Sequence, residues 1–138
     1  MTAQSKSICV YIVDDDASVR GALSRLMRAA GIRSREFVSP EEFLAVAESA
    51  TTGCVLLDIT MPGMTGNEMQ ARLRGMNFKL PVIVVSATEN EEVRHTAYVL
   101  GAKLFLRKPV DGQALLDAIA WVTSTTESGA AVQPPANA

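Results

Sequence analysis

The sequence predicts one α/β domain, a five-stranded parallel sheet in the order 2-1-3-4-5 with helices on both faces. Three observations lead there. Short, nearly continuous apolar runs recur along the chain, and such runs bounded by turn residues fit strands buried on both faces. Segments with helical spacing of apolar residues alternate with them, strand then helix, which is the pattern of an open parallel sheet. One strand is densely charged, which sends it to an edge; with right-handed crossovers, that favours the order 2-1-3-4-5.

Residues 1 to 6 are polar and expected to be loose. Ile8-Cys9-Val10-Tyr11-Ile12-Val13 is the first strand, stopping abruptly at Asp14-Asp15-Asp16. In the helix that follows, Val19, Leu23, Leu26, Met27 and Ala30 share a face, and Gly31 is its expected C-terminal stop. Residues 33–38 form the edge strand, carrying Arg33, Arg35 and Glu36. Ser39-Pro40-Glu41-Glu42 opens the second helix: Ser39 caps, Pro40 takes the first helical position and Glu42 completes a capping box. Phe43, Leu44 and Ala47 form its buried side.

The third strand, Cys54-Val55-Leu56-Leu57, runs into Asp58 and then a loop with one proline and two glycines. The third helix is expected over 67–75, with Met69 and Leu73 inward. Pro81-Val82-Ile83-Val84-Val85 is the fourth strand, ending at Ser86-Ala87-Thr88. The fourth helix spans about 89–100, with acidic residues in its first turn to suit the helix dipole, and Gly101 ends it. Lys103-Leu104-Phe105-Leu106-Arg107 is the fifth strand, leading into Lys108-Pro109. The fifth helix, about 112–123, buries Leu115, Leu116, Ile119 and Val122. Residues 124–138 lack periodicity and read as a flexible tail or linker after a domain of residues 1–123.

At 138 residues the chain suits one domain, and its net charge of −2 gives no electrostatic footprint for nucleic acid. No apolar run is long enough to span a bilayer and no signal-peptide core opens the chain, which points to the cytoplasm and away from a membrane. Cys9 and Cys54 lie inside strand-like runs with no metal-type spacing and read as buried thiols.

Ligands of such sheets bind beyond the carboxyl ends of the strands, near the switch point between strands 1 and 3. Strand 1 delivers Asp14, Asp15 and Asp16 to that edge, strand 3 Asp58, strand 4 Ser86 and strand 5 Lys108. Each residue has a bland reading: helix cap, turn former, turn hydroxyl, solvated lysine. The coincidence at four strand ends is not what those readings produce. Gathered carboxylates need a cation, and a few hard oxygen ligands with room for water suit Mg²⁺ better than Ca²⁺. No Cys/His cluster offers a zinc site. A hydroxyl and a primary amine beside a metal-bound carboxylate make a phosphoryl-transfer site with Asp58 as nucleophile.

Val13-Asp14-Asp15-Asp16, Leu57-Asp58-Ile59-Thr60-Met61-Pro62-Gly63-Met64-Thr65-Gly66, Val85-Ser86-Ala87 and Lys108-Pro109 together resemble a receiver domain of a two-component response regulator, over about residues 7–123. The resemblance implies the flavodoxin-like (βα)5 fold. It implies a phosphorylation-dependent signalling switch rather than a turnover enzyme, one that promotes only its own phosphorylation and dephosphorylation. Asp58 would take a phosphoryl group from a sensor histidine kinase, a phosphotransfer protein or a small phosphodonor. Asp14, Asp15, Asp58 and the backbone carbonyl of Thr60 would hold Mg²⁺, and Ser86 and Lys108 would contact the phosphoryl oxygens. The Lys108–Pro109 bond would be cis. On phosphorylation Ser86 would be drawn in and Phe105 would turn inward, changing the surface of the fourth helix, fifth strand and fifth helix that engages an output domain or partner. A phosphorylation-dependent homodimer through that surface is a further implication. Thr60 and Thr88 stand where the family tunes phosphoryl lifetime. Ser86 replaces the commoner Thr, Val110 a frequent Phe, and Phe105 lacks the hydroxyl of a Tyr.

Two other classes compete. A haloacid-dehalogenase-like phosphohydrolase wants a second Asp two residues after the nucleophile, where Thr60 stands, and a cap for which the chain has no room. A pseudo-receiver, an interaction module without phosphorylation, has no need of the intact Asp14, Asp15, Asp58, Ser86 and Lys108. A flavin-binding protein would place a phosphate cradle after strand 1, where three carboxylates would repel it. His95 is expected to be an exposed helix residue, Trp121 either core or partner surface, and Met61 and Met64 packing beside the loop. The tail is read as the end of a stand-alone receiver or the start of a linker to an output domain.

Overall fold

In the computed structural model, residues 8–61 and 63–128 are described, with side chains as far as residue 124. The elements are β1 (Cys9–Val13), α1 (Ala17–Ala29), β2 (Arg33–Phe37), α2 (Pro40–Leu44), a 3₁₀ turn (Ala47–Ser49), β3 (Gly53–Leu57), α3 (Gly66–Gly75), β4 (Val82–Ser86), α4 (Glu91–Val99), β5 (Leu104–Arg107) and α5 (Gly112–Ser128). The strands pair in parallel in the order β2-β1-β3-β4-β5, the order that the charge on β2 and the crossover rule favour.

Side-chain alternation along the strands divides the core into two layers. Tyr11, Val13, Val55, Leu57, Val84 and Phe105 face α2, α3 and α4, which contribute Phe43, Met69, Leu73 and Ala97. Val10, Ile12, Leu56, Ile83, Val85 and Leu106 face α1 and α5, which contribute Leu23, Met27, Leu115, Ile119 and Val122. Phe43 is fully buried at the centre of an aromatic group, its ring 5.3 Å from Phe37, 5.6 Å from Tyr11 and 5.8 Å from Phe78, each edge-on.

Local chemistry sets the boundaries. Asp16 caps α1 through the N–H groups of Ser18 and Val19, and Gly31 ends it at φ +76° while the Ile32 N–H donates to Met27 O. Ser39 accepts from the Glu42 N–H and Glu42 Oε1 from the Val38 N–H, which start α2. That helix lasts five residues before the 3₁₀ turn carries Ala47 into the core. Gly53 adopts φ +116°, and a Cβ there would lie 1.9 Å from the Cys9 carbonyl oxygen, so no other residue fits between β3 and β1.

Three expectations change. The last helix continues to Ser128 instead of ending at 123, so the boundary expected at 124 falls within α5; the remainder of the expected tail, 129–138, lies outside the described residues. The fourth helix starts at Glu91, because Asn90 accepts from the Glu92 and Val93 N–H groups as its cap. Ala30 is exposed, since it follows the last helical residue and leaves the face shared by Leu23 and Met27. Among the described residues no helix is long and apolar enough to cross a membrane.

Candidate functional site

Register builds the site. Val13 is the partner of Leu57, and the Asp58 N–H donates to Val13 O, so the residues that follow, Asp14 and Asp58, leave adjacent strands at the same level. Leu57 is the partner of Val84, and Ser86 of Arg107, which brings Ser86 and Lys108 to the same carboxyl edge. The Lys108 N–H donates to Ser86 O at 3.0 Å, carrying the pairing one step past the strands.

Asp14 and Asp58 are 3% and 6% exposed, which for carboxylates demands compensation. Lys108 supplies part of it: Nζ donates to Asp14 Oδ2 at 2.8 Å and to Asp58 Oδ2 at 3.2 Å. Burial alone would lower the lysine's pKa, but the hydrogen bond to Asp14 and the charges of Asp58 and Asp14 outweigh it and hold it above its ordinary value. Asp58 Oδ1 accepts from both the backbone N–H (3.0 Å) and the hydroxyl (2.9 Å) of Thr60. Asp14 Oδ1 accepts from the Asp16 N–H at 2.9 Å.

Asp15 is exposed, yet one oxygen from each of Asp14, Asp15 and Asp58 lies within 4.8 Å of the others. An all-carboxylate set, two members buried and one open to water, fits a hard cation that keeps some of its own water. Ser86 is fully buried, and its Oγ accepts from the Thr88 N–H at 3.3 Å. The Lys108–Pro109 peptide is cis. Phe105 is 3% exposed, so its ring occupies the inward position, with the Arg94 guanidinium 5.7 Å from its centroid. The structure thus brings Asp14, Asp15, Asp58 and Lys108 together, with Thr60 on Asp58 and Ser86 at the neighbouring strand end.

Other residues fall as follows. His95 is exposed on α4, Trp121 is half-buried against the layer of α1 and α5, Met61 is buried and Met64 packs beside the opposite layer. Cys54 is fully buried, which pushes its thiol up to about 12. Cys9 is also buried, and its pKa is raised by the same loss of solvent.

Some residues contribute in ways that the sequence motifs do not show. Gly66, the first residue of α3, lies so close to the loop that a Cβ there would be 2.6 Å from Asp58 O and Ile59 Cα. Thr65 and Glu68 form a reciprocal capping box that fixes α3 at that point, and the T-x-x-E spacing could have revealed it. The hydroxyl of Thr60 on Asp58 had no signal beyond its place two residues on.

A sheet edge of this make-up fits a phosphorylation-dependent signalling domain, and comparison with known proteins shows that class. The response regulator receiver domain family model matches residues 10–120. The transcriptional regulatory protein TdiR of Thauera aromatica is 39% identical over 118 residues, 86% of this chain and 52% of TdiR. A crystal structure of a response regulator receiver protein from Burkholderia phymatum is 40% identical with a TM-score of 0.75, covering 86% of this chain and 96% of that one. The FixJ-N crystal structure is 28% identical with a TM-score of 0.81, covering 92% and 99%. The chain belongs to the receiver-domain family of two-component response regulators. It spans about half the length of TdiR.

Proposed function

We infer that Asp58 is the phosphoryl acceptor of this domain, and that Asp14, Asp15, Ser86 and Lys108 serve its chemistry. The observation that carries the reading is the convergence of Lys108 on both Asp14 and Asp58 beside an acidic triad. A carboxylate oxygen of Asp58 attacks phosphorus; the new O–P bond forms as the P–N bond to the donor imidazole breaks, and its electron pair stays on nitrogen. Lys108 is placed to neutralise the phosphoryl oxygens, and Ser86, whose Oγ only accepts from the Thr88 N–H, keeps its O–H to donate to one of them. Asp14, Asp15, Asp58 and the Thr60 carbonyl would hold Mg²⁺, which supplies further neutralisation of those oxygens. The donor would be a sensor histidine kinase, a phosphotransfer protein or a small phosphodonor, and the domain promotes only its own phosphorylation and dephosphorylation.

The response is a population shift between two packings, biased by charge at one site. Ser86 and Phe105 are read as the switch residues, the Phe105 ring already standing in the inward position that phosphorylation is expected to favour, and α4, β5 and α5 carry the surface offered to an output domain, a partner or a second copy. Tyr98 and Val99, 36% and 57% exposed on α4, supply apolar area for it. We place the C-terminal edge of the domain at the end of α5, Ser128, rather than at residue 123, and its setting in the cytoplasm.

The test is incubation with acetyl phosphate with and without Mg²⁺, read by intact mass. Wild type should gain one phosphoryl group only with the metal, and Asp58→Asn none. An adduct of equal yield in Asp58→Asn would move the acceptor elsewhere.

A further inference from the structure

The three carboxylates of the cluster are not held alike. Asp14 is tied by the Asp16 N–H and Lys108, and Asp58 by Thr60 and Lys108. Asp15 has no side-chain partner among the described residues, yet its carboxylate stands within 4.8 Å of the other two. Its placement therefore rests on its backbone, and the peptide plane entering Asp15 contains the Asp14 carbonyl. That carbonyl accepts from Arg20 Nη1 at 2.7 Å. The same side chain, only 14% exposed, puts Nε 3.6 Å from Glu36 Oε1 on β2, while the Arg20 N–H donates to Asp16 O within the first turn of α1. One guanidinium thus spans the end of β1, the start of α1 and β2.

We propose that Arg20 is a positioning residue for cation binding: by fixing the Asp14–Asp15 peptide it aims the otherwise untethered Asp15 carboxylate at the acidic cluster. The proposal rests on the reading that the cluster holds Mg²⁺. It has a sign that simple electrostatics does not share. Removing a positive charge near three carboxylates should tighten cation binding if charge were all that mattered. Loss of the strut should weaken it, because a ligand held only through its backbone swings away once that backbone is free.

The test is titration of MgCl₂ by calorimetry into metal-free wild type, Arg20→Met, Arg20→Lys, Glu36→Gln, Asp15→Asn and the double variant Arg20→Met/Asp15→Asn, with thermal melts to establish folding. Arg20→Met should bind Mg²⁺ roughly 10-fold more weakly, at the low end of what groups behind metal ligands contribute. Arg20→Lys, which keeps the charge and one donor, should recover part of the loss, and Glu36→Gln should lose less than Arg20→Met. In the Asp15→Asn background, Arg20→Met should add almost nothing. Unchanged or tighter binding by Arg20→Met overturns the proposal, as does a full additional loss in the double variant. Should Arg20→Met fail to fold, the comparison rests on Arg20→Lys, whose affinity equal to or above wild type overturns the proposal. A wild type that binds no Mg²⁺ brings down the metal-site reading and this proposal together, whereas binding by wild type with no effect of Arg20 removes only the latter.

Discussion

Lys108 stands 50 residues beyond Asp58 in the sequence, and its Nζ lies 3.2 Å from Asp58 Oδ2. The same nitrogen is 2.8 Å from Asp14 Oδ2, so one ammonium serves two buried carboxylates on neighbouring strands. The arrangement is electrostatically demanding, because either acid alone would be costly at that depth.

Lys108→Ala should therefore lower the stability of the metal-free protein by roughly 3 kcal/mol, the scale for removing one partner of a buried ion pair. Millimolar Mg²⁺ should recover more stability in the variant than in wild type, since the cation replaces the missing charge. Denaturant melts with and without Mg²⁺ check this. Labelling by acetyl phosphate should persist in part while the conformational response is lost.

Gly66→Ala tests the approach of α3 to the Asp58 loop. With only 2.6 Å between a Cβ and Asp58 O, the backbone must move, and the helix is held in place by the Thr65–Glu68 box. The expected outcome is a loss of phosphorylation rate of about 10-fold or more with the fold retained, in line with the sensitivity of such reactions to small misplacements. Single-turnover kinetics beside circular dichroism would show it; an unchanged rate would mean that the loop yields without cost.

The aromatic group offers a complementary test far from the chemistry. Phe43→Ala should destabilise by about 3–5 kcal/mol, the cost of emptying a buried aromatic site ringed by Tyr11, Phe37 and Phe78. Labelling of the fraction that remains folded should be normal.

Stability should decline on the alkaline side. The Cys54 thiol ionises near 9 when exposed and only at about 12 in the folded protein. Above pH 9 the unfolded chain thus binds fewer protons than the native one, and stability falls as pH rises toward 12, with a slope on the order of 1 kcal/mol per unit. Lys108, raised above its usual 10.5, adds a loss of the same sign from there upward. Urea melts under reducing conditions should show this, with a shallower fall for Cys54→Ala between pH 9 and 10.5.

The sheet was readable because its central strands are buried on both faces, so Val10 to Val13, Cys54 to Leu57 and Val82 to Val85 stand out as unbroken apolar runs. The convergence of Asp14, Asp58, Ser86 and Lys108 followed from strand order alone, because parallel strands present their carboxyl ends on one side. What stayed hidden lacks a pattern of its own. The helix α5 continues over 124–128, where the sequence Ser-Thr-Thr-Glu-Ser offers no apolar periodicity. Arg20 acts on a backbone carbonyl, which any sequence offers everywhere. Gln70 lies outside the apolar pattern of α3, yet it is 3% exposed and its Nε2 donates to Ala97 O of α4 at 3.3 Å. Gly66 is one glycine of two in its loop, and only the coordinates show which of them touches Asp58.

The central claim is that the phosphoryl group goes to Asp58 and not to the carboxylates beside it. Reduction of the acetyl-phosphate-treated, Mg²⁺-loaded protein with borohydride converts an acyl phosphate to an alcohol, turning the modified aspartate into homoserine, and peptide mass spectrometry then locates it. The account predicts homoserine at position 58 alone, and none when Mg²⁺ is withheld. Homoserine at position 14 or 15, with Asp58 intact, would contradict it.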